Sequence, residues 1–270
     1  MFRLIKIDLR KVLSYKTFWV LNGLYIFSLS FVLAMSQLLI NKIVTEASKQ
    51  SPIPIPKVSL FVFPKIWHNL TYIAGYFNIF LAIIIIFFIC NEFTYKTLRQ
   101  NIISGLSRLE YLLSKIYFIL ILSLGATIVI FLTGMILGLF HTPSVTFSKM
   151  FSGYFQFIPG YFIETFTYLL FVFFIAFLLK KSSLSIIALL FYTMMEQIIV
   201  WWKVSSDYVM FMPMKAFARL VHFPRIPIPE MEGGAIRFQD YIALPDVGIA
   251  VGYAAIFVGL IFLLLKKRDL

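Results

Sequence analysis

Six long apolar runs, spread along the whole length, decide what this 270-residue chain can become. They cover residues 18–40, 70–90, 116–140, 157–179, 184–202 and 247–265. About 20 such residues, each rising 1.5 Å in a helix, cross the roughly 30 Å hydrocarbon layer of a bilayer. No water is present there to satisfy backbone N–H and C=O groups, so each run has to close its own hydrogen bonds as a helix. Composition agrees, with 61% hydrophobic and 13% charged residues, against about 45–50% and 25% in soluble domains. The expected fold class is all-α: a polytopic membrane protein with six transmembrane helices, forming one domain over residues 1–270 with no soluble module.

The formal net charge of +12 would suggest nucleic acid in a soluble chain, but a nucleic-acid role needs a folded basic domain, and these runs leave no room for one. Basic residues instead report orientation, because they concentrate on the cytoplasmic side. Fourteen of the 24 Lys and Arg residues fall in the short segments on the N-terminal side of the membrane. The other ten are spread over much longer loops. Both termini are therefore expected in the cytoplasm, with the chain multi-pass in the cell inner or plasma membrane. The first run is kept as a span, since the charged segment before it is too long and mixed for a signal peptide. Cys90 is the only cysteine, so neither an intramolecular disulfide nor a thiolate metal site can form.

Residues 1–17 place Phe2, Ile5, Leu9, Val12 and Leu13 on one helical face, with Arg3, Lys6, Arg10 and Lys11 elsewhere. That pattern predicts an interfacial helix lying on membrane lipid, or else a basic flank to the first span. Alternate prolines in SPIPIPK (51–57) exclude a helix there, and RIPIPE (225–230) echoes it in the long outer loop, 203–246; the two extended pieces can lie together. Residues 210–221 are apolar enough for an interfacial or re-entrant helix. Trp67, Tyr72, Trp201 and Trp202 fall where an outer aromatic belt of membrane anchors is expected. Gly134 and Gly138 permit close helix approach, within the chain or between copies.

No catalytic pattern stands out. There is no GxxxxGK[ST] phosphate loop, no HExxH pair and no GxSxG elbow. His68, His141 and His222 read as surface residues. No cofactor, metal ion or catalytic residue is expected, and the chain is not expected to be an enzyme. Two carboxylates lie inside apolar runs, Glu164 and Glu196, where an ionisable group has to be paired or face water. They either line a pathway or hold helices together, and Glu196 is within reach of Lys203.

The segment 91–115, NEFTYKTLRQNIISGLSRLEYLLSK, is polar and of mixed charge between two apolar runs. Leu98, Ile102, Ile103, Leu106 and Leu109 recur at helical spacing, and Ser104-Gly105 marks a turn before the chain restarts into the third span. The order Glu-x4-Thr-x-Arg-x5-Gly-x-Ser-Arg-x6-Lys, at the junction of the second and third spans, resembles the coupling-helix region of ABC-2 type transporter permeases. WHNLTYIAGYF (67–77) is similar to members of the same family, and so is the whole layout. The resemblance implies a permease subunit of an exporter that pairs with a second permease subunit, identical or related. It also implies an ABC ATPase on a separate chain, where ATP and Mg would bind. Glu92, Thr97, Arg99, Gly105 and Arg108 would carry the coupling, with Glu92, Arg99 and Arg108 as its contact or coupling residues. A self-sufficient secondary transporter or channel, and a non-transporting membrane scaffold, are the competing readings.

Overall fold

The computed structural model describes residues 2–50, 59–144, 146–202, 211–224 and 240–267. No strand occurs among them, and six helices are long and apolar enough to cross a membrane. In chain order the helices are α1 (Phe2–Leu13), α2 (Lys16–Gln50), α3 (Ile66–Thr94), α4 (Thr97–Ile103), α5 (Arg108–His141), α6 (Phe147–Met150), α7 (Phe157–Leu179), α8 (Ser182–Trp201), α9 (Pro213–Ala218) and α10 (Leu244–Lys267). The six spans are α2, α3, α5, α7, α8 and α10. The proline-rich pieces 51–57 and 225–230, and Lys203, lie outside the described residues.

Each apolar run became a helix, and two helices run well past their apolar stretch. The first continues to Gln50, because nothing from 41 to 50 breaks it before Pro52. Its polar last turns therefore stand clear of the hydrocarbon. The third starts at Arg108 rather than near 116, because Ser107 and Glu110 form a capping box. The Ser107 hydroxyl accepts from the Glu110 N–H, and the Glu110 carboxylate accepts from the Ser107 N–H, satisfying two otherwise orphaned donors.

Helices α3 and α7 pack against each other at the centre of the bundle and are the most enclosed, while α2, α8 and α10 lie outside them. Those outer helices present Phe27, Phe31, Ile187, Phe191, Val251 and Ile256 outward. A helix that is apolar on its core face and its outer face alike needs an apolar solvent, and the chain is a multi-pass membrane protein. Lipid tails are as apolar as the side chains, so helix association relies on close packing and on polar contacts. One such thread crosses three spans. The Tyr25 hydroxyl is 3.0 Å from that of Tyr161, which donates to Asn78 Oδ1 at 2.9 Å, while Asn78 Nδ2 donates to Thr165 Oγ1 at 3.1 Å. Since the Tyr161 proton goes to Asn78, Tyr25 is the donor to Tyr161.

The aromatic belt is not formed as expected. Trp67 is fully buried, its ring 5.5 Å from and nearly parallel to Phe131 and its indole N–H donating to the Met150 carbonyl at 2.6 Å. It is a core residue instead of an anchor. Tyr72 is half-buried, and Trp202 is strongly exposed. The glycine spacing in α5 serves packing within the chain: a Cβ on Gly134 would sit 2.6 Å from the Trp67 ring, and one on Gly138 would collide with Phe63. Replacing Gly134 by Val is expected to destabilise by about 1–3 kcal/mol, since a buried, stacked indole cannot step aside. A thermal unfolding curve in detergent checks this, Gly125→Val serving as control because a Cβ at Gly125 meets nothing.

Candidate functional site

The connector between α3 and α5 is built from two sharp turns. Tyr95 and Lys96 end α3, with Lys96 in the left-handed region at φ 53°. The seven-residue α4 follows and stops at Gly105, whose φ of +95° lies in the region that side chains disfavour. The Leu106 N–H donates to the Asn101 carbonyl and the Gly105 N–H to the Ile102 carbonyl, which is the Schellman arrangement for closing a helix. Ser107 then opens α5. The expected turn at Ser104-Gly105 is present, while the amphipathic helix is one short piece, with Leu98 buried beneath it and Arg99, Gln100 and Ile103 exposed.

Under this connector lies a buried charge cluster. Lys115 Nζ is 2.9 and 3.0 Å from the two Asp8 oxygens and 2.8 Å from Glu92 Oε1. Lys11 Nζ is 3.1 Å from the same Glu92 oxygen and 3.4 Å from Thr97 Oγ1. The Tyr111 hydroxyl donates to Glu92 Oε2 at 2.7 Å. The Lys115 ammonium also lies over the Phe88 ring, 4.3 Å from its centroid, a favourable seat for a cation. Lys115 and Glu92 are each 1% exposed. Two ammonium groups face two carboxylates, so the cluster is neutral, and α1, α3, α4 and α5 all contribute to it.

Sequence placed Glu92 in the connector, as a contact or coupling residue. It lies in the last turn of α3, turned inward, and its carboxylate is spent on Lys115, Lys11 and Tyr111. A partner reaches it only through the helices it ties together. Thr97 is half-buried against Lys11, Arg99 points outward, and Gly105 makes the turn. Arg108 Nη1 donates to the carbonyls of Leu265 and Lys266 at 2.9 and 2.6 Å. These are among the last carbonyls of α10, which have no partner within their own helix. The N-terminal helix, the connector and the end of the last span therefore gather at one end of the bundle. Asp8 and Tyr111 were not singled out by sequence. The available signal was that Asp8 is the only acidic residue in the basic segment 1–17.

The two carboxylates in the spans part company. Glu196 Oε1 accepts from the Lys215 N–H at 2.7 Å and Oε2 from the Met214 N–H at 3.2 Å. Helix α9 starts with Pro213 and has no side-chain cap of its own from Met212; Glu196 supplies one from α8, where negative charge also suits the helix dipole. Glu164, on the central α7, accepts no hydrogen bond among the described residues, and its Oε2 is sealed from solvent. The histidines are not all at the surface. His68 is buried, stacked 3.8 Å from the Phe157 ring, and its Nε2 donates to the His222 carbonyl at 2.7 Å, while His141 is exposed. Among the described residues no three His, Cys, Asp or Glu side chains come together as a metal ion would require.

The chain belongs to the family described as protein of unknown function (DUF2705), whose profile matches residues 31–270. None of the curated proteins matches it.

Replacing Lys115 by Met leaves Asp8 and Glu92 facing each other without their shared cation, and breaking a buried pair this way costs about 3–5 kcal/mol. The triple variant Asp8→Asn, Glu92→Gln, Lys115→Met is expected to recover part of that loss, as read by thermal unfolding in detergent. His222 supplies a pH dependence at the other end. Burial holds its imidazole below the ordinary value of 6.5, against the pull of Asp246 and with the help of Arg219. The unfolded chain therefore takes up the proton first, so stability falls as pH drops through about 6.5. Unfolding temperatures measured from pH 7.5 to 5.5 are expected to decline less in His222→Gln than in the natural chain.

Proposed function

We propose that this member of the DUF2705 family is the membrane permease subunit of an ATP-driven ABC transporter, acting in export. A separate ATPase chain would drive it by docking on the connector between α3 and α5. The observation that carries this reading is the union of an exposed short helix with a buried cluster directly beneath it. Arg99, Gln100 and Ile103 offer a contact surface, and Ile103 is 76% exposed although apolar. The turns on either side are closed by hydrogen bonds, and the neighbouring span ends are joined through Lys115 and Arg108. A push on α4 is therefore delivered to α3, α5 and α10 together instead of being absorbed by a loose loop.

In this reading the end of the bundle with α1, the connector and the close of α10 faces the cytoplasm of a cell inner or plasma membrane. The positive-inside rule supports that orientation, with Lys6, Arg10, Lys96, Arg99, Lys180, Lys181, Lys266 and Lys267 all at this end. ATP binding on the partner biases a two-state equilibrium of the spans between openings to either side. A second permease subunit completes the pathway across the membrane. Chemistry on ATP stays with the partner.

Affinity purification after gentle solubilisation is expected to bring down a chain carrying a GxxxxGK[ST] loop. Arg99→Glu is expected to weaken that association about tenfold, equivalent to about 1.4 kcal/mol, with insertion and unfolding temperature unchanged. Recovery of the chain alone under every condition tested would remove the proposal's support. So would membrane-impermeant labelling that puts residue 100 outside the cell. Ion-driven transport by the purified chain without nucleotide would replace this reading with that of a secondary transporter.

A further inference from the structure

At the end of the bundle opposite the charge cluster, α3, α7, α8 and α9 line an open-mouthed cavity of about 620 Å³, inside the range of roughly 300–1,000 Å³ typical of small-molecule sites. Tyr72, Tyr76, Tyr168 and Phe217 give its walls aromatic faces, and Glu164 lies on its lining. The Glu164 side chain rests against Gly75, where a Cβ would come 3.4 Å from Oε1. The small residue leaves the carboxylate its place. No hydrogen bond from the described residues reaches either oxygen.

Glu164 is the only acidic side chain among the described residues that line the cavity. Of the basic residues on the same wall, Arg219 has its own counter-ion, its Nη2 lying 2.9 Å from Asp246 Oδ1, while the Lys215 backbone N–H is taken by Glu196, whose charge also interacts with that of Lys215. His222, the remaining basic group on the wall, is held neutral by its burial. Glu164 is left as the acidic group on this wall with no hydrogen-bond partner among the described residues. An unpaired carboxylate inside a membrane bundle is costly and marks a place where a cation arrives, and aromatic faces favour organic cations over hydrated metal ions.

We propose that the Glu164 cavity binds an organic cation: an ammonium-type or similarly soft positive group carried on an apolar body. The cation sits against the Glu164 carboxylate, and the tyrosine and phenylalanine faces take the apolar part. Such a ligand suits a cavity set among spans, since its apolar body partitions into lipid while its charge finds a partner in Glu164. This names a substrate class for the transport reading above and rests on that reading only for transport itself. Binding belongs to the chain alone.

The test uses the full chain in nanodiscs, without any ATPase, and tetraphenylphosphonium as the probe, with empty nanodiscs subtracted. Saturable binding is expected, with Glu164→Gln weakening it about tenfold or more. Tetraphenylborate, of the same shape and opposite charge, is expected not to compete. Glu164→Gln replaces a buried carboxyl group that has no hydrogen-bond partner among the described residues, so its unfolding temperature should not fall; Gly75→Val, which crowds that side chain, is expected to weaken binding independently. Equal binding by Glu164→Gln, competition by tetraphenylborate, or no saturable binding above empty nanodiscs would each overturn the inference. None of these outcomes touches the coupling proposal, which stands or falls on the partner ATPase.

Discussion

The ammonium of Lys115 is the point on which one end of this bundle depends. It is almost fully buried, has aromatic rings for neighbours, and is held by carboxylates that come from 107 residues earlier in the chain and from the preceding span. Withdrawing a charge from water costs several kcal/mol, and the attraction of its partners repays this only if their geometry is good and their remaining valences are filled. Here they are filled: Asp8 places both oxygens on Lys115, and Glu92 divides its two among Lys115, Lys11 and Tyr111. A neutral cluster so arranged adds little net stability over a well-packed apolar one. What it imposes is register. In a medium where apolar surfaces gain nothing by meeting each other, α1 can sit against α3 and α5 in one rotation and one height only.

That register gives α4 its mechanical character. A helix of seven residues has little stability of its own, since nucleation is unfavourable and short helices are marginal. Its rigidity is borrowed from the Schellman turn at Gly105, the capping box at Ser107 and the anchoring of Leu98 and Thr97 over the cluster. Arg108 extends the same frame to the last span by taking up carbonyls at the end of α10. Elements first and last in the chain are thereby fixed to the middle connector, and any displacement there is shared among three spans.

The six spans were legible because length and hydropathy carry them with no reference to tertiary context. The capping box was also local, a Ser-x-x-Glu written into residues 107–110. What escaped was contact across the sequence. Asp8 is inconspicuous until Lys115 is opposite it. Glu92 read as a connector residue because it is polar and follows an apolar run, while the backbone stays helical for two residues more and turns its side chain inward. Trp67 and His68 sit where statistics favour membrane anchors and surface groups. Their burial is decided by Phe131, Phe155 and Phe157, brought in by α5 and the start of α7. Glu196 is the same lesson in reverse: Lys203 was the near neighbour in sequence, and the backbone of α9 became the partner.

The two ends of the bundle thus treat charge in opposite ways, and the difference is physical. At the connector every buried ionisable group has its counterpart within about 3 Å, so the arrangement is closed and resists change. At the far end Glu196 is answered by the backbone of α9 and Asp246 by the charge of Arg219, while Glu164 has neither a hydrogen bond nor an ion pair among the described residues. Packing does not explain the omission, because a glutamine or an apolar side chain in that position would avoid the penalty of an unpaired carboxylate altogether. A closed cluster suits an element that passes on force without yielding. An open one suits a place where something positive enters and leaves, and a bundle that joins the two has a firm grip at one end and a vacancy at the other.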